Sequence, residues 1–256
     1  MKMTMNKVAS GELKKLIEEN QITVAQINAL REDSRLAIKN LIKKWDNEQA
    51  EKERVQKMYT YELEFKAKGI DLIAGIDEAG RGPLAGPVVV AAVILPLGLH
   101  IPYINDSKKL SAKRRESIYQ LILDQAIAIE RAVISERVID EINIYQATIE
   151  GMYEVLQKLN PQAQGALIDA VNLDKLTIPS LSIIKGDSLS ASIAAASIIA
   201  KVERDRLMDE LDKKYPMYGF AKNKGYGTAE HMKAIHQYGP CEFHRKTFEP
   251  IKSWKR

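Results

Sequence analysis

Two adjacent carboxylates, Asp77 and Glu78, stand where one apolar segment breaks into a glycine-rich turn and a second apolar segment follows at once. The apolar segments, Leu72–Ile76 and Val88–Leu95, predict two neighbouring strands joined by that turn. Like charges at a buried strand end repel each other, so both stay anionic only if a cation shares their charge. A bound divalent metal ion would meet this need. The alternative is a surface β-turn that carries two solvated acids.

Two more acids follow apolar segments further along the chain. Asp169 ends the run 165–168, and Asp187 follows the run 181–186. Each stands at the carboxyl end of a predicted strand, where α/β sheets gather their ligands. Asp187 alone is also well placed to cap a helix that opens at Ser188. Oxygen ligands from separate strands suit Mg²⁺ or Mn²⁺, and such sites often hold two ions that promote an in-line phosphoryl displacement.

We therefore predict a catalytic metal site formed by Asp77, Glu78, Asp169 and Asp187, with Asp77 as the bridging ligand. Which acid touches which ion is left open by the spacing. Such a site hydrolyses phosphodiesters without a cysteine or serine nucleophile. The single cysteine, Cys241, excludes an internal disulfide, and we do not expect it to act as a nucleophile.

From Asp71 onwards, the pattern predicts a mixed five-stranded sheet flanked by helices, an α/β fold. The small residues early in the long last helix predict a close approach of that helix to the sheet. The further predicted strands are 126–134, 165–171 and 181–185, and the predicted helices are 111–125, 135–145, 146–159 and 188–214.

Residues 1–70 lack proline and carry apolar residues at helical spacing, which predicts three helices. Thr23 and Ser34 are candidate N-caps, and Gly69 is a candidate helix terminator. We expect an accessory helical extension over 1–70 and a catalytic domain over 71–256 with a C-terminal helical tail. The extension either contacts nucleic acid or a partner, or simply packs on the domain.

Five ordered blocks resemble the signatures of bacterial ribonuclease HII, over roughly residues 71–250. They are 75–90, 106–110, 169–170, 185–188 and 224–228. The resemblance implies an RNase H-like fold and a metal-dependent endonuclease that cleaves the RNA strand of RNA/DNA hybrids. It also implies incision of duplex DNA 5′ of an embedded ribonucleotide, leaving a 3′-hydroxyl and a 5′-phosphate. The sister family, ribonuclease HIII, differs after the acid pair, where this chain has the type II sequence Gly80-Arg81-Gly82.

The glycines of Gly80-Arg81-Gly82 would allow a backbone approach to a ribose 2′-hydroxyl. Tyr226, between two glycines, has a ring free to stack on a sugar or base, and the resemblance places it beside the ribose-to-deoxyribose junction. Without the resemblance, a structural role for this tyrosine is as good an interpretation.

Ser107, Lys108 and Lys109 lead into a helix whose start carries Lys113, Arg114 and Arg115. Hydroxyl, ammonium and helix N-terminus can converge there on phosphates. A capped, solvated helix start is the alternative.

A formal charge of +4 fits an anionic partner held by a local basic face. The basic run His244-Arg245-Lys246 either touches phosphate or is a solvated tail, and a zinc pair of His231 and His236 is not expected. We expect a cytoplasmic monomer with no membrane contact, and leave open whether a sliding clamp docks at the tail. A non-catalytic protein that only binds nucleic acid is the competing function, but the complete acid set favours the enzyme.

Overall fold

The computed structural model describes residues 8–19 and 21–254, so the outermost ends of the predicted extension and tail lie outside the described residues. The helices are α1 (Ser10–Glu18), α2 (Val24–Leu30), α3 (Leu36–Lys57), α4 (Thr60–Lys66), α5 (Ala112–Gln125), α6 (Glu136–Lys158), α7 (Ala191–Lys214), α8 (Phe220–Asn223) and α9 (Ala229–Tyr238). The strands are β1 (Ile73–Ala79), β2 (Val88–Ile94), β3 (Ala128–Ile134), β4 (Gly165–Asp169) and β5 (Ser180–Ile183).

The five strands form one mixed sheet in the order β3-β2-β1-β4-β5. β2 runs antiparallel to both β1 and β3, whereas β1, β4 and β5 are parallel. The prediction of a mixed five-stranded sheet is therefore confirmed. β1 lies at the centre, so its carboxyl end is flanked by β2 on one side and by β4 on the other.

Both faces of β2 are buried, because this strand contributes alternate side chains to two different cores. Val89, Ala91 and Val93 pack in a core with α7 and α5, while Val88 and Val90 pack in a second core with α6. Removing a valine-sized side chain from water contributes roughly 1.5–3 kcal/mol, which makes this strand a main source of stability. A continuous apolar run is what a strand covered on both faces requires.

Helix α7 approaches β1 more closely than any side chain on Gly75 would allow. A Cβ built at Gly75 would lie 2.0 Å from the main-chain carbonyl carbon of Ser192. The buried residues Ala191, Ala194 and Ala195 form the facing surface. The predicted small-residue packing surface is confirmed, and it places α7 directly beside the strand that carries Asp77.

The N-terminal region contains four helices among its described residues rather than the three predicted, because the helical backbone is interrupted between the end of α3 at Lys57 and the start of α4 at Thr60. Thr23 caps α2 through a capping box with Gln26, as predicted. Helix α3 begins at Leu36, and Gly69 follows α4 with a φ of +80°.

The chain forms two compact units, Met1–Arg54 and Val55–Arg256. The first unit has its own core, which includes Leu13, Ile27 and Leu30. The second unit begins at Val55, before the predicted boundary at residue 70, and one side of the segment 55–66 is buried in it; the buried residues there include Val55, Met58, Tyr59 and Phe65.

Other element ends differ from the predictions for local reasons. The two predicted helices of 135–159 are one segment, α6, interrupted at Asn143, whose φ is 68° and whose side chain accepts hydrogen bonds from the backbone of Tyr145 and Gln146. β5 ends at Ile183 because Lys185 turns into the left-handed region. After α9, the described tail (239–254) consists of turns rather than helix. No helix among the described residues has the length and apolar character that crossing a membrane requires.

Candidate active site

Asp77 lies in β1 opposite Ala91 of β2 and is almost fully buried. Its Oδ1 accepts a hydrogen bond from the backbone N–H of Glu78 at 2.7 Å. Burial raises the pKa of Asp77 well above its usual range, and the nearby charges of Glu78 and Asp169 raise it further. A carboxylate in this position is costly unless a cation neutralises it.

Glu78 has an unused buried oxygen. Its Oε1 lies 3.4 Å from Arg81 Nη1, but its Oε2 is buried and has no hydrogen-bond partner. Burial raises the pKa of Glu78, although the charge of Arg81 opposes the shift. A buried carboxylate oxygen with no donor is uncommon in folded proteins, and a cation would satisfy it.

Asp169 ends β4, and Asp187 lies in a single helical turn, Gly186–Ser188, that follows β5. The backbone N–H of Gly186 donates a hydrogen bond to Asp169 Oδ1 at 2.7 Å, which ties the two strand ends together. Burial raises the pKa of Asp187 to about 6, with further contributions from Asp106 and Asp169. Burial also raises the pKa of Asp169 itself.

The structure thus brings the four predicted acids into one electrostatic neighbourhood. The charge of Asp169 raises the pKa of each of the other three. Within the part of the chain that the structure describes, no three His, Cys, Asp or Glu side chains are yet arranged around a single ion position. The raised pKa values and the unpaired oxygen of Glu78 nevertheless fit a divalent cation, because such an ion would offset the mutual repulsion.

A fifth acid, Asp106, belongs to the same neighbourhood, and the sequence analysis did not assign it to the site. Beyond the effect of burial, Asp106 raises the pKa of Asp187, and its own Oδ1 accepts a hydrogen bond from the backbone N–H of Lys108 at 2.9 Å. The position of Asp106 directly before Ser107 and Lys108 was the signal available in the sequence.

Lys108 faces the acids. Burial alone would lower the pKa of its ammonium, but the charges of Asp77, Asp106 and Asp187 raise it overall. Lys109 donates a hydrogen bond to Ser188 Oγ at 2.9 Å, next to Asp187. Of the two predicted lysines, Lys108 is therefore the one whose charge bears on the acids of both strand ends.

A cleft of about 390 Å³ adjoins the acids through Glu78. The predicted residues Gly80, Arg81, Gly82, Ser107, Lys108 and Tyr226 all line it. Arg115 lines it as well, together with two α7 residues that the sequence analysis did not single out, Lys201 and Arg204. The Tyr226 ring is half-exposed and lies 3.7 Å from the Cβ position of Gly82. The Tyr226 ring thus lies next to the glycine turn, and its stacking on a nucleotide stays a prediction.

Two buried arginines hold the glycine turn from inside. Arg204 donates to the carbonyl oxygens of Ala85, Pro87 and Lys224 at 2.9–3.2 Å. Arg245 donates to the carbonyl oxygens of Gly80, Arg81 and Gly86 at 2.6–3.0 Å. Together the two guanidiniums fix the turn that follows Asp77 and Glu78.

These contacts add to one prediction and correct another. Gly80, with a φ of +101°, has a structural requirement that was not predicted, because a Cβ there would lie 2.0 Å from Arg204 Nε; its predicted approach to a ribose stays a prediction. His244 and Arg245 are neither phosphate contacts nor a solvated tail, since both are fully buried; only Lys246 is exposed. His231 is also buried and contacts His244 rather than His236.

Comparisons of the sequence and of the fold with known proteins point to the same family. A family model described as Ribonuclease HII matches residues 74–251, and another, described as Ribonuclease HII N-terminal domain, matches residues 11–66. A ribonuclease HII of Bacillus cytotoxicus is 55% identical over 227 residues, which cover 87% of each chain.

Among solved structures, the ribonuclease H2 of Pyrococcus horikoshii OT3 is similar, with a TM-score of 0.61 and 27% identity, and covers 71% of this chain and 95% of its own. The ribonuclease HII in a complex with PCNA from Archaeoglobus fulgidus has a TM-score of 0.59 and 28% identity, with coverages of 70% and 95%.

Proposed function

Since the chain belongs to the ribonuclease HII family, we propose that it is a metal-dependent endonuclease that cleaves the RNA strand of RNA/DNA hybrids and incises duplex DNA 5′ of an embedded ribonucleotide. The products would be a 3′-hydroxyl and a 5′-phosphate. The observation that carries the metal dependence is the buried, unpartnered Oε2 of Glu78 among acids whose pKa values are raised.

Asp77, Glu78, Asp169 and Asp187 are the residues that would hold Mg²⁺ or Mn²⁺, with two ions expected. When bound, such ions activate a water, stabilise the leaving oxygen and neutralise the charge of the phosphate. The protein itself supplies buried strand ends. They hold these carboxylates close together, where their negative charges are only partly neutralised by the protein. Lys108 adds a cation next to Asp77 and Asp187, where a substrate phosphate would meet it.

Recognition of the ribose is proposed for the glycine turn and Tyr226. The carbonyl oxygens of Gly80 and Arg81 are bound to Arg245 in the interior. Because Arg245 binds these carbonyl oxygens, the glycine turn is held in place. Main-chain groups of the turn that face the cleft would then form hydrogen bonds with a ribose 2′-hydroxyl. The Tyr226 ring beside Gly82 would stack on the adjacent sugar.

Rigidity matters here because the turn continues directly from Asp77 and Glu78 in β1. Binding of a ribose to the turn would therefore place the neighbouring phosphate on the acids in the same event. Small misplacements of reacting groups are expensive in rate, so this coupling would make a single ribonucleotide sufficient for cutting.

The decisive experiment is incision of a duplex DNA with one ribonucleotide, labelled at the 5′ end of the strand that contains it. With Mg²⁺ or Mn²⁺ we expect one product that ends in a 3′-hydroxyl directly before the ribonucleotide, and none in EDTA. A purified, folded protein that binds the duplex yet releases no fragment with either ion would support the non-catalytic binding function instead.

A further inference from the structure

The cleft beside the acids is strongly cationic. Five of its lining side chains are basic, Arg81, Lys108, Arg115, Lys201 and Arg204, and one is acidic, Glu78. Small groups form much of the remaining wall; they include Ala79, Gly80, Gly82, Ser107 and Ser197. A cavity of this composition suits an anion flanked by a compact, partly polar body, which is the chemistry of a nucleic-acid backbone.

Arg115 and Lys201 bring two of these charges together from separate helices. Arg115 stands in the first turn of α5, and one of its guanidinium nitrogens donates to the carbonyl oxygen of Ser107 at 2.6 Å. Among the described residues, the Arg115 side chain makes this one hydrogen bond. Its other N–H groups can therefore donate to a ligand. The Ser107 hydroxyl in turn lies 3.0 Å from Ser197 Oγ on α7.

Lys201 lies one turn beyond Ser197 on α7, and its ammonium is within 2.6 Å of Asp205 Oδ1. Its side chain is about 21% exposed. Burial lowers its pKa, and the charges of Arg115 and Arg204 lower it further despite the bond to Asp205. An anion bound among Arg115, Lys201 and Arg204 would reduce the repulsion between these three positive charges.

We propose that Arg115 and Lys201 form a phosphodiester subsite that binds a backbone phosphate adjacent to the one cut. This inference rests on the proposed function and names a substrate contact beyond the acids, the glycine turn and Tyr226. The subsite grips one linkage of the ribonucleotide-containing strand, and Arg204, whose hydrogen bonds are used by main-chain carbonyls, contributes charge rather than contact.

The test is a double-mutant cycle between protein and DNA. Duplexes that carry one ribonucleotide and a single neutral methylphosphonate, moved one linkage at a time around it, are titrated with protein in EDTA. The unaltered protein should bind about tenfold more weakly to the duplex in which one particular linkage near the ribonucleotide is neutral. This is roughly the loss of one charge-assisted hydrogen bond. With Arg115→Gln or Lys201→Gln, the same neutral linkage should cost less than about twofold further, because the contact is already lost.

Lys213→Gln is the matched control, since Lys213 lies on the same helix, is paired with Glu210 at 2.6 Å and is exposed. It should keep the full penalty at that linkage. The slope of log affinity against log salt should fall in magnitude by about 0.9 for each variant of the subsite and stay unchanged for the control. Lys201→Arg should restore most of the coupling, because the charge is retained.

Equal penalties in the unmodified chain and in both folded variants, at every linkage tested, would overturn the subsite. If Lys201→Gln fails to fold, the Arg115→Gln cycle decides alone. Cleavage of the unmodified duplex by the unaltered protein with Mg²⁺ is measured in parallel. Loss of that cleavage would refute the proposed function, whereas cleavage without coupling refutes only the subsite.

Discussion

The imidazoles of His231 and His244 face each other in the protein interior, with their Nε2 atoms 3.1 Å apart. The backbone N–H of Cys241 donates to His244 Nδ1 at 3.0 Å, so that nitrogen carries no proton. His244 Nε2–H must then donate to His231 Nε2, and His231 Nδ1–H donates to the carbonyl oxygen of Tyr226 at 2.9 Å. Both rings are therefore neutral, and protonation of either one breaks this chain.

Acid should consequently destabilise the protein through His244. Burial, with a further contribution from His231, lowers the pKa of His244 to about 4. Through this group the unfolded chain binds more protons than the folded one, so the contribution of His244 to stability falls by on the order of 2–3 kcal/mol between about pH 6.5 and 4. The raised pKa values of Asp77, Asp169 and Asp187 act in the opposite direction in the metal-free protein, so the His244 contribution is read from a comparison with a variant. Chemical denaturation at several pH values would measure this. His244→Asn should lower stability at pH 7, and its stability relative to the unaltered protein should rise by on the order of 2–3 kcal/mol as pH falls towards 4; a difference in stability that does not change with pH would exclude the His244 contribution.

Asp77→Asn should abolish cleavage without unfolding the protein. Loss of one charged ligand should lower turnover with Mg²⁺ by about 100-fold or more. Since burial and neighbouring acids disfavour the Asp77 anion, the thermal midpoint without metal should stay level or rise. Asp71→Asn, at an exposed position shortly before the same strand, is the control and should cut normally. Near-normal turnover of Asp77→Asn would refute the metal assignment.

Tyr226→Ala should slow incision at an isolated ribonucleotide by about tenfold or more, because stacking on a nucleotide contributes roughly 1–3 kcal/mol. The cleavage rate on long RNA/DNA hybrids should fall less, since the enzyme can bind such a hybrid at many alternative positions along the RNA strand. Stability should change little, as the ring is half-exposed. Tyr238→Ala, at a similarly exposed tyrosine, serves for comparison. Equal losses on both substrates would leave a nuclease that recognises only the hybrid.

Arg245→Lys should lower both stability and activity although the charge is kept. A lysine cannot reproduce the fork that binds the carbonyls of Gly80, Arg81 and Gly86. Loss of two or more of these bonds should cost about 2–4 kcal/mol in the free energy of unfolding. Denaturant titration and single-ribonucleotide incision measure the two effects. Lys246→Ala, at the exposed next residue, should leave the unfolding free energy unchanged.

Truncation should separate the two compact units. A chain that begins at Val55 should fold and nick DNA, whereas one that begins at Gly69 should lose several kcal/mol of stability. The second truncation removes Glu62, whose Oε1 accepts from Ser190 Oγ at 2.7 Å and from the backbone of Ser192 at 3.0 Å at the start of α7. Comparable thermal midpoints for the two truncations would show that the segment 55–66 is dispensable.

The sheet and the acid cluster were open to prediction because both depend on local pattern. The β2 run is apolar throughout because both of its faces are covered, and each acid follows such a run at a strand end. The roles of Arg204 and Arg245 were not accessible in this way. Arginine is usually exposed, and the partners of these two are backbone carbonyls far away in sequence, which no side-chain pattern marks. The compact units divide after Arg54, inside α3, which an unbroken helical pattern does not indicate, whereas the predicted boundary at residue 70 follows the change from helical to strand pattern.

The bond from Arg245 to Gly80 also has a consequence for synthesis of the protein, because 165 positions of chain separate its two ends. While the ribosome is still making the protein, the nascent strand that carries Asp77 and Glu78 is complete long before Arg245 has been added. Until then the carbonyl oxygens of Gly80, Arg81 and Gly86 lack the donor that binds them in the folded protein, and Arg204 alone can hold the turn from inside. The turn that follows Asp77 and Glu78 can therefore reach its final hydrogen-bonded form only after a distant, later part of the chain has folded onto it.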